Sequence, residues 1–307
     1  MTGFTHSALV YESDNEFVDT VAPFAGDGVT AGDHVVVVTT PANASAVREE
    51  LGDLAGAVDF FDSAEWYSGS PWQTLRRYLQ WLDGLPPEGG RRVLGEQAWI
   101  GRSDYEATEW LRYESFANVT FDSPRNSVIC SWDARRMPES LIDGLYATHP
   151  EVIASELPER SVQCASPNAF AAELDRRPLA PPAGPVAETT FTDLRDVRRA
   201  LQREAQQRGI DGDRAGEFAL ALNEVATNAL KHGLSEAKLT IWGDGRELVC
   251  EVADAGPGVD DPLVGHTPPA GRGKAGWGLW TARLLSDWVE LRSNERGTVV
   301  RLRLALN

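Results

Sequence analysis

A proline- and alanine-rich stretch that begins at Arg176, RRPLAPPAGPVAE, constrains the fold of this chain more than any other feature. Its prolines lack the backbone donor that helices and sheets use, and its apolar residues follow neither a helical nor a strand period. Such a segment is typical of a linker between domains. At about 150 residues per domain, the chain has room for two domains. We therefore predict an N-terminal domain at residues 1–175, a linker at 176–187 and a C-terminal domain at 188–307.

The charge and the cysteine content exclude several classes of protein. The formal net charge of −17 argues against binding to nucleic acid or to an anionic membrane surface. Cys130, Cys164 and Cys250 are widely spaced and odd in number, so their spacing reveals neither a disulfide framework nor a cysteine-based zinc site. Because the sequence also lacks a signal-peptide pattern and any apolar run of about 18 residues, we expect a cytoplasmic protein that does not enter a membrane.

In the N-terminal half, predicted strands and helices alternate. Apolar, β-branched runs predict strands at residues 35–40, 91–96 and 126–132. Apolar residues at helical spacing predict helices at residues 72–85, 104–118 and 138–147. This alternation is typical of a parallel sheet that is covered by helices, so we expect an α/β domain.

In the C-terminal half, the order of elements predicts an α+β domain with helices on one face of a sheet. Helices are expected at residues 192–208, with Thr192 as the N-cap, at 213–232, and at 278–286. Strands are expected at residues 237–243, 246–254, 288–294 and 298–306. A Gly/Pro-rich stretch from 255 to 276 is too long for an ordinary turn, and loops of this length are commonly lids.

A polar pair interrupts the apolar pattern of the helix at 213–232. Phe218, Leu222 and Val225 follow a 3.6-residue spacing that can face the sheet. Glu224 and Asn228 lie one turn apart on another face, turned by roughly 100°. A carboxylate and an amide placed side by side can hold a metal ion and orient a hydroxyl. For Glu224 alone, the solvated flank of an amphipathic helix is the better explanation.

Glycine motifs follow this helix. Asp254 ends a predicted strand, and Gly256 and Gly258 stand directly after it, so a carboxylate there can accept a hydrogen bond from an exocyclic amine such as that of adenine. Gly276 and Gly278 lead into the last helix, where backbone N–H groups can bind an anion. Each motif alone is also consistent with a plain turn. Together with the polar pair, they predict a nucleotide site.

These motifs resemble those of the GHKL ATPases, the family of gyrase, Hsp90, histidine kinases and MutL, over about residues 190–307. The matching segments are LNEVATNALKHG, DAGPG, GKAGWGLW and the closing GTVVRL. The resemblance implies a two-layer α/β sandwich that binds ATP and Mg²⁺ under a mobile lid. It implies Asn228 as the Mg²⁺ ligand, Asp254 as the residue that reads adenine, and Lys231 near the phosphates. The further nucleotide-binding residues that it implies are His232, Gly256, Gly258, Lys274, Gly276, Gly278 and Thr298.

Within that family the domain resembles the anti-sigma-factor serine/threonine kinases of the RsbW and SpoIIAB type. The resemblance implies Glu224 as the general base for transfer to a hydroxyl. It also implies a sigma factor and a STAS-type anti-sigma-factor antagonist as partners, and a homodimer. Three alternatives stay open: an anti-sigma protein that holds ATP without transferring phosphate, a histidine kinase whose acceptor lies on another chain, and a stand-alone ATPase.

The N-terminal half resembles the MEDS sensory domain, a degenerate relative of RecA/KaiC-type ATPases, over about residues 4–155. The segments that carry the resemblance are HSALVYESDNEF, FAGDGVTAGDHVVVVT, LGEQAW, CSWD and THPEVI. Residues 1–180 contain no lysine, so the glycines at 26, 28 and 32 cannot form a working Walker A loop. We expect this half to bind a small ligand or a partner in a pocket near strand ends. The candidate pocket residues are His6, Glu96, Trp99, Cys130 and His149. Taken singly, each of them is better explained by a structural role.

Overall fold

The structure, a computed structural model, describes residues 4–99, 101–154, 158–182, 184–210, 212–234, 236–243, 245–259, 261, 264–266 and 276–306. The chain divides into two compact units, Met1–Phe170 and Ala171–Asn307. Among the described residues, no helix combines the length and the apolar character that crossing a membrane requires.

The N-terminal unit is built on one sheet. Its strands are β1 (Thr5–Tyr11), β2 (His34–Thr39), β3 (Val58–Asp62), β4 (Arg91–Glu96), β5 (Asn126–Asp133), β6 (Glu151–Ile153) and β7 (Glu159–Arg160). They lie in the order β3-β2-β4-β5-β1-β6-β7, and every pair is parallel except β6 with β7. The helices are α1 (Asp14–Ala31), α2 (Pro41–Leu51), α3 (Ser63–Trp66), α4 (Pro71–Asp83), α5 (Asp104–Thr120) and α6 (Ile142–Thr148). The boundary between the two units falls within the next helix, α7 (Pro167–Asp175). The predicted α/β class with a parallel sheet is confirmed.

Strand β2 shows why this sheet must be covered on both faces. Successive side chains of a strand point to opposite faces, yet Val35, Val36, Val37 and Val38 are all at most 2% exposed. A run of β-branched residues that is buried on both sides is typical of a parallel sheet between helices. The buried strand that the apolar run at residues 35–40 predicted is therefore present.

The early glycines serve packing and helix termination. Gly28 lies inside α1, where a Cβ atom would come within 2.8 Å of the Val35 side chain and 2.6 Å of Arg92 Cδ. Gly32 caps α1 with a φ of 77°, the left-handed region that glycine adopts without strain. These glycines thus do not lie in a strand-to-helix loop, which agrees with the absence of a Walker A lysine.

The C-terminal unit has an antiparallel sheet with helices on one face. Its elements are β8 (Ala187–Phe191), α8 (Leu194–Gln207), α9 (Gly212–His232), β9 (Ala237–Gly243), β10 (Glu247–Asp254), α10 (Trp277–Leu285), β11 (Trp288–Asn294) and β12 (Gly297–Ala305). The strand order is β11-β12-β10-β9-β8. Apolar residues of α8, α9 and α10 share one core with alternate residues of the strands. The predicted two-layer α/β sandwich is confirmed.

Helix α8 begins one residue later than predicted. Asp193 rather than Thr192 is the N-cap, and its carboxylate accepts a hydrogen bond from the backbone N–H of Arg195 at 2.8 Å. Asp193 has the extended backbone that an N-cap adopts, and its carboxylate reaches the first turn. The expectation for Thr192 was therefore wrong by one position.

The proline-rich segment is attached to the C-terminal sheet. The carbonyl oxygen of Arg177 accepts a hydrogen bond from Arg292 Nε, and that of Ala180 accepts one from Arg301 Nη1, each at 2.8 Å. A segment rich in proline has few backbone donors but keeps its carbonyl acceptors, so arginine side chains can hold it. β8, which was not predicted, starts at Ala187 at the end of this segment.

Candidate functional site

Helix α9 positions the glutamate and the asparagine of the predicted site. Its apolar stripe, with Phe218, Leu222 and Val225, is buried in the core that it shares with the sheet. Glu224 and Asn228 lie beside this stripe and are half-buried, whereas Thr227 between them is exposed. A solvated flank would leave all three polar side chains exposed, so something covers the glutamate and the asparagine.

The cover is the first turn of α10. A Cβ atom on Gly278 would stand 2.8 Å from Asn228 Nδ2 and 3.1 Å from Glu224 Oε2, so only glycine fits without displacing these side chains. Gly276, the N-cap of α10, has a φ of 100°, in the region that favours glycine. The two glycines therefore allow α10 to start directly beside the polar pair.

The start of a helix adds electrostatic character to this place. The first backbone N–H groups of a helix have no acceptor within the helix and carry partial positive charge. In α10 these groups belong to residues adjoining Gly278, next to Asn228 and Glu224. The arrangement combines backbone donors suited to an anion, an amide oxygen suited to a hard cation, and a carboxylate that can accept a proton.

Asp254 lies at the other end of α9. Its Oδ1 accepts a hydrogen bond from the backbone N–H of Gly256 at 2.8 Å. A Cβ atom on Gly256 would lie 2.7 Å from the carbonyl oxygen of His232, and one on Gly233 would lie 3.2 Å from Asp254 Cβ. Along α9, Asn228 and Glu224 lie about 6 and 12 Å before His232, at 1.5 Å per residue. The polar pair and the Asp254 loop thus flank the C-terminal half of α9.

The loop after Asp254 is held by the hairpin of β11 and β12. Thr298 pairs with Asp254 across the sheet, and its Oγ1 lies 3.0 Å from Ser293 Oγ. Ser293 Oγ also accepts a hydrogen bond from the backbone N–H of Val259 at 2.7 Å. Gly258, with a φ of 84°, packs against the backbone of this hairpin. Ser293 was not among the residues predicted from the sequence. Its position opposite Thr298 in the predicted closing hairpin could have indicated this role.

Two of the predicted nucleotide-binding residues are not brought into this geometry, and a third is not described. Lys231 and His232 are exposed in the last turn of α9. Lys274 lies outside the described residues, as do the other residues of 267–275. The described part of the site therefore consists of Glu224, Asn228 and the glycines of α10 at one end, and Asp254, its glycine loop and Thr298 at the other.

These residues fit ATP and Mg²⁺ by two features of the structure. Because Gly278 lacks a side chain, the first turn of α10 and its free backbone N–H groups, which suit a phosphate, lie directly beside Asn228 and Glu224. The oxygens of Asn228 and Glu224 are hard ligands of the kind that Mg²⁺ prefers. Asn228 would hold the ion, and the first turn of α10 would hold the phosphates.

The N-terminal pocket residues separate into two groups. Glu96 ends β4 and accepts hydrogen bonds from Tyr11 Oη at 2.8 Å, Asn43 Nδ2 at 3.1 Å and Thr39 Oγ1, so its carboxylate is fully engaged in structure. His6, Cys130 and His149 come together elsewhere, near the amino end of β1. Of the five candidates, Glu96 ends β4 and Trp99 follows that strand by three residues, so these two do lie near a strand end.

The rings near His149 extend this second group. Trp99 stacks on Trp132 with ring centroids 4.4 Å apart, and Trp132 meets His149 edge-on at 6.0 Å. The structure adds one residue that sequence reasoning missed, Glu114 of α5, which is fully buried beside the two histidines. In the sequence, the only indication of a buried role for Glu114 was its place between Tyr113 and Ser115 in the run WLRYESFANV. Burial raises the pKa of the Cys130 thiol, and burial and then the neighbouring His149 lower the pKa of His6.

Family comparisons match the two halves separately. Residues 5–150 match the family described as MEDS, the methanogen/methylotroph, DcmR sensory domain. Residues 187–304 match the histidine kinase-like ATPase domain. Among curated proteins, none has a sequence that matches significantly.

Several solved structures resemble the C-terminal part at low identity. The RsbU and RsbW domains of a Mycobacterium tuberculosis protein are 20% identical, with a TM-score of 0.28; the match covers 40% of this chain and 34% of that one. The histidine kinase domain of a blue-light-activated kinase from Erythrobacter litoralis is 19% identical over 35% of this chain and 62% of that one, with a TM-score of 0.24. The catalytic domain of histidine kinase ThkA is 16% identical over 39% of this chain and 97% of that one, with a TM-score of 0.27. This chain thus spans about a third of the first structure and under two thirds of the second.

Proposed function

We propose that this chain, which joins a MEDS domain to a histidine kinase-like ATPase domain, is an anti-sigma serine/threonine kinase whose activity the MEDS domain modulates. The nucleotide would be ATP with Mg²⁺. The acceptor would be a serine or threonine of a STAS-type antagonist, and the unphosphorylated antagonist would compete with a sigma factor for the kinase domain. Such kinases act as homodimers in the cytoplasm, and we extend both properties to this chain as part of the proposal.

One observation carries the catalytic part of the proposal. Glu224 Oε2 and Asn228 Nδ2 both lie within about 3 Å of the position that a Cβ on Gly278 would take. A passive nucleotide site needs the donors of α10 and a metal ligand, but it has no need of a carboxylate at the same place. Glu224 is the residue that distinguishes a transferring site from a site that only holds ATP.

The roles of the residues follow from their chemistry. Asn228 would coordinate the ion, and the backbone of α10 would orient the phosphates. When bound, Mg²⁺ neutralises phosphate charge, and ATP supplies the phosphoryl group. Glu224 would accept the proton of the attacking hydroxyl, a contribution that general bases make at about 10²- to 10⁴-fold. Asp254, already oriented by Gly256 N–H, would accept a hydrogen bond from the adenine amine.

A histidine kinase is the second candidate, but its acceptor would have to come from another chain. His6, His149 and His266 are at most 1% exposed, which keeps them from a nucleotide. His34 contacts the carbonyl oxygen of Glu88 at 3.1 Å. His232 belongs to α9 of the ATPase domain itself. The chemistry of the labelled product separates the two candidates.

The test is phosphoryl transfer from ATP labelled at the γ-phosphate. The full chain is incubated with Mg²⁺ and, one at a time, with the STAS-domain proteins of the native host. The proposal predicts acid-stable label on a serine or threonine of one of them, and no label with the Glu224→Gln variant. Acid-labile label on histidine would favour the histidine kinase. Release of phosphate without label on protein would indicate a stand-alone ATPase, and bound ATP without turnover would indicate a passive anti-sigma protein.

A further inference from the structure

Four side chains from four elements of the N-terminal unit converge on one buried point. They are His6 of β1, Glu114 of α5, Cys130 of β5, and His149 directly after α6. One ligand atom of each, a ring nitrogen, a carboxylate oxygen or the sulfur, lies within 4.8 Å of all the others. His6, Glu114 and His149 are at most 1% exposed, and Cys130 is 8% exposed. We call these four residues the His₂CysGlu cluster.

Outer hydrogen bonds fix which nitrogen of each histidine faces the cluster. Asn118 Nδ2 donates to the carbonyl oxygens of Ser115 and Thr148, at 3.0 and 2.8 Å, so Asn118 Oδ1 is the atom that accepts from His6 Nδ1 at 3.0 Å. With its proton on Nδ1, the neutral ring of His6 turns the lone pair of Nε2 toward the cluster. This nitrogen lies 3.4 Å from Cys130 Sγ and 3.7 Å from Glu114 Oε2.

The same logic applies to His149. Its Nδ1 lies 3.0 Å from the carbonyl oxygen of Leu145, which can only accept, so the proton of the neutral ring is on Nδ1. The lone pair of His149 Nε2 then points at Glu114 Oε2 at 3.3 Å. Neither of these two atoms has a hydrogen-bond partner among the residues that the structure describes.

Glu114 is oriented in the same way as the histidines. Gln97 Nε2 donates a hydrogen bond to Glu114 Oε1, which leaves Oε2 for the cluster. Three atoms with lone pairs, the Nε2 atoms of the two histidines and Glu114 Oε2, therefore face one another and the thiol of Cys130. A single proton can bridge only two of these atoms, so a proton network leaves electron-rich atoms opposed in a dry interior, at high cost. One cation at the centre satisfies all four.

We propose that the His₂CysGlu cluster is a binding site for a divalent transition-metal ion of the zinc type, held by His6 Nε2, Glu114 Oε2, Cys130 Sγ and His149 Nε2. Nitrogen, oxygen and thiolate ligands in fourfold coordination suit Zn²⁺. At ordinary Zn–N, Zn–O and Zn–S lengths, the ligand atoms of a tetrahedron are separated by about 3.3 to 3.6 Å. The three close pairs of the cluster are separated by 3.3, 3.4 and 3.7 Å.

Side chains of the protein would occupy all four coordination positions of the ion. A closed site leaves no place for a reactive water, so the ion would serve stability and sensing rather than hydrolysis. Gln97, Asn118 and the carbonyl of Leu145 are the outer partners that such ligands regularly have. The ion would join β1, β5, α5 and the end of α6, so its presence would set how firmly these elements are held together.

The primary test is metal content and ligand identity in the full chain. The protein is refolded under reducing conditions with Zn²⁺, desalted, and measured for bound metal and by X-ray absorption. The proposal predicts about one zinc per chain, with one sulfur at about 2.3 Å and three nitrogen or oxygen ligands at about 2.0–2.2 Å. Refolding with Co²⁺ should give an intense thiolate-to-cobalt absorption band. Less than a tenth of an equivalent of tightly held metal, with a folded N-terminal unit, would overturn the proposal and leave a proton network.

Matched variants test the assignment of ligands. Cys130→Ser should abolish the thiolate-to-cobalt band and the zinc–sulfur distance, whereas Cys164→Ser, which removes a half-buried thiol outside the cluster, should leave both unchanged. The X-ray absorption of the unaltered chain decides the question if Cys130→Ser fails to fold. Zinc that is bound without any sulfur ligand, or a band that persists in Cys130→Ser, would place the metal elsewhere and overturn the assignment.

Discussion

Asn228 and Gly278 bring α9 and α10 into close contact: a Cβ atom on the glycine would stand 2.8 Å from the amide nitrogen of the asparagine. Gly278→Ala should therefore push α10 away from α9 and weaken Mg²⁺-dependent ATP binding at least tenfold, as titration calorimetry would measure. Gly216→Ala is the matched control, because the same change on the exposed side of α9 meets nothing within 4 Å. It should keep the affinity and stabilise the helix by up to about 1 kcal/mol. Equal affinities in the two variants would contradict the close approach.

Glu224→Gln should separate binding from transfer. The substitution keeps the shape of the side chain but removes its ability to accept a proton. ATP affinity should stay within a few-fold, and the rate of phosphoryl transfer should fall by at least about 100-fold. Glu217→Gln, at an exposed position of the same helix, should change neither quantity. A transfer rate in Glu224→Gln within threefold of the unaltered chain would remove Glu224 as the base.

Asn228→Ala should weaken nucleotide binding only when Mg²⁺ is present. Without the amide oxygen the ion loses its ligand, so affinity measured with excess Mg²⁺ should drop toward the value measured with a chelator. Asn223→Ala makes the same change at a position whose side chain bonds to Arg198 on the surface, and its Mg²⁺ dependence should stay normal. An Asn228→Ala variant with full Mg²⁺ dependence would show that another residue binds the ion.

Asp254→Asn should reduce the discrimination between ATP and GTP. Asn keeps an oxygen for the backbone N–H of Gly256, so the turn is preserved, but its amide group also offers a donor to a guanine carbonyl. Competition of each nucleotide for the site would show the ratio of affinities moving toward one. The control is Glu295→Gln at an exposed position of the closing hairpin. Unchanged selectivity in Asp254→Asn would exclude this residue as the adenine reader.

Arg301→Leu should destabilise the C-terminal sheet. Arg301 is 2% exposed and donates to Glu251 Oε2 at 2.6 and 3.0 Å and to the carbonyl oxygen of Ala180 at 2.8 Å. Removing the arginine takes the charge partner from the Glu251 carboxylate, whose side chain is 18% exposed, a loss of about 3 kcal/mol in the free energy of unfolding. Urea titration would measure it, with the exposed Arg296→Leu as a control near zero. A loss below about 1 kcal/mol would show that solvent replaces the arginine.

Local signals predicted the fold well and placed Glu224 and Asn228 beside the buried stripe of α9. The spacing of Phe218, Leu222 and Val225 gave the buried stripe of α9, and the VVVVTT run gave a strand buried on both faces. The glycine at 278 was singled out for its order along the chain, although its contact with Asn228 depends on how two helices pack. No sequence pattern within residues 213–286 predicts the distance between Gly278 and Asn228.

Long-range relationships account for what the sequence did not reveal. Cys130 and Glu114 belong to different elements and lie 16 positions apart, and no spacing rule for cysteine ligands includes a buried glutamate on a neighbouring helix. Ser293 likewise gains its role only when β12 brings Thr298 beside it. The start of α8 at Asp193 rather than Thr192 shows the ordinary limit of such signals, since both residue types can cap a helix.

The measurement that tests the central claim most directly is calorimetric titration of ATP into the full chain, with and without Mg²⁺, at two temperatures. We expect saturable binding of one ATP per chain that weakens at least tenfold when Mg²⁺ is removed, and weaker binding of GTP. The absence of saturable heat at both temperatures, for a folded chain at millimolar ATP, would contradict the assignment of α9 and α10 as a nucleotide site.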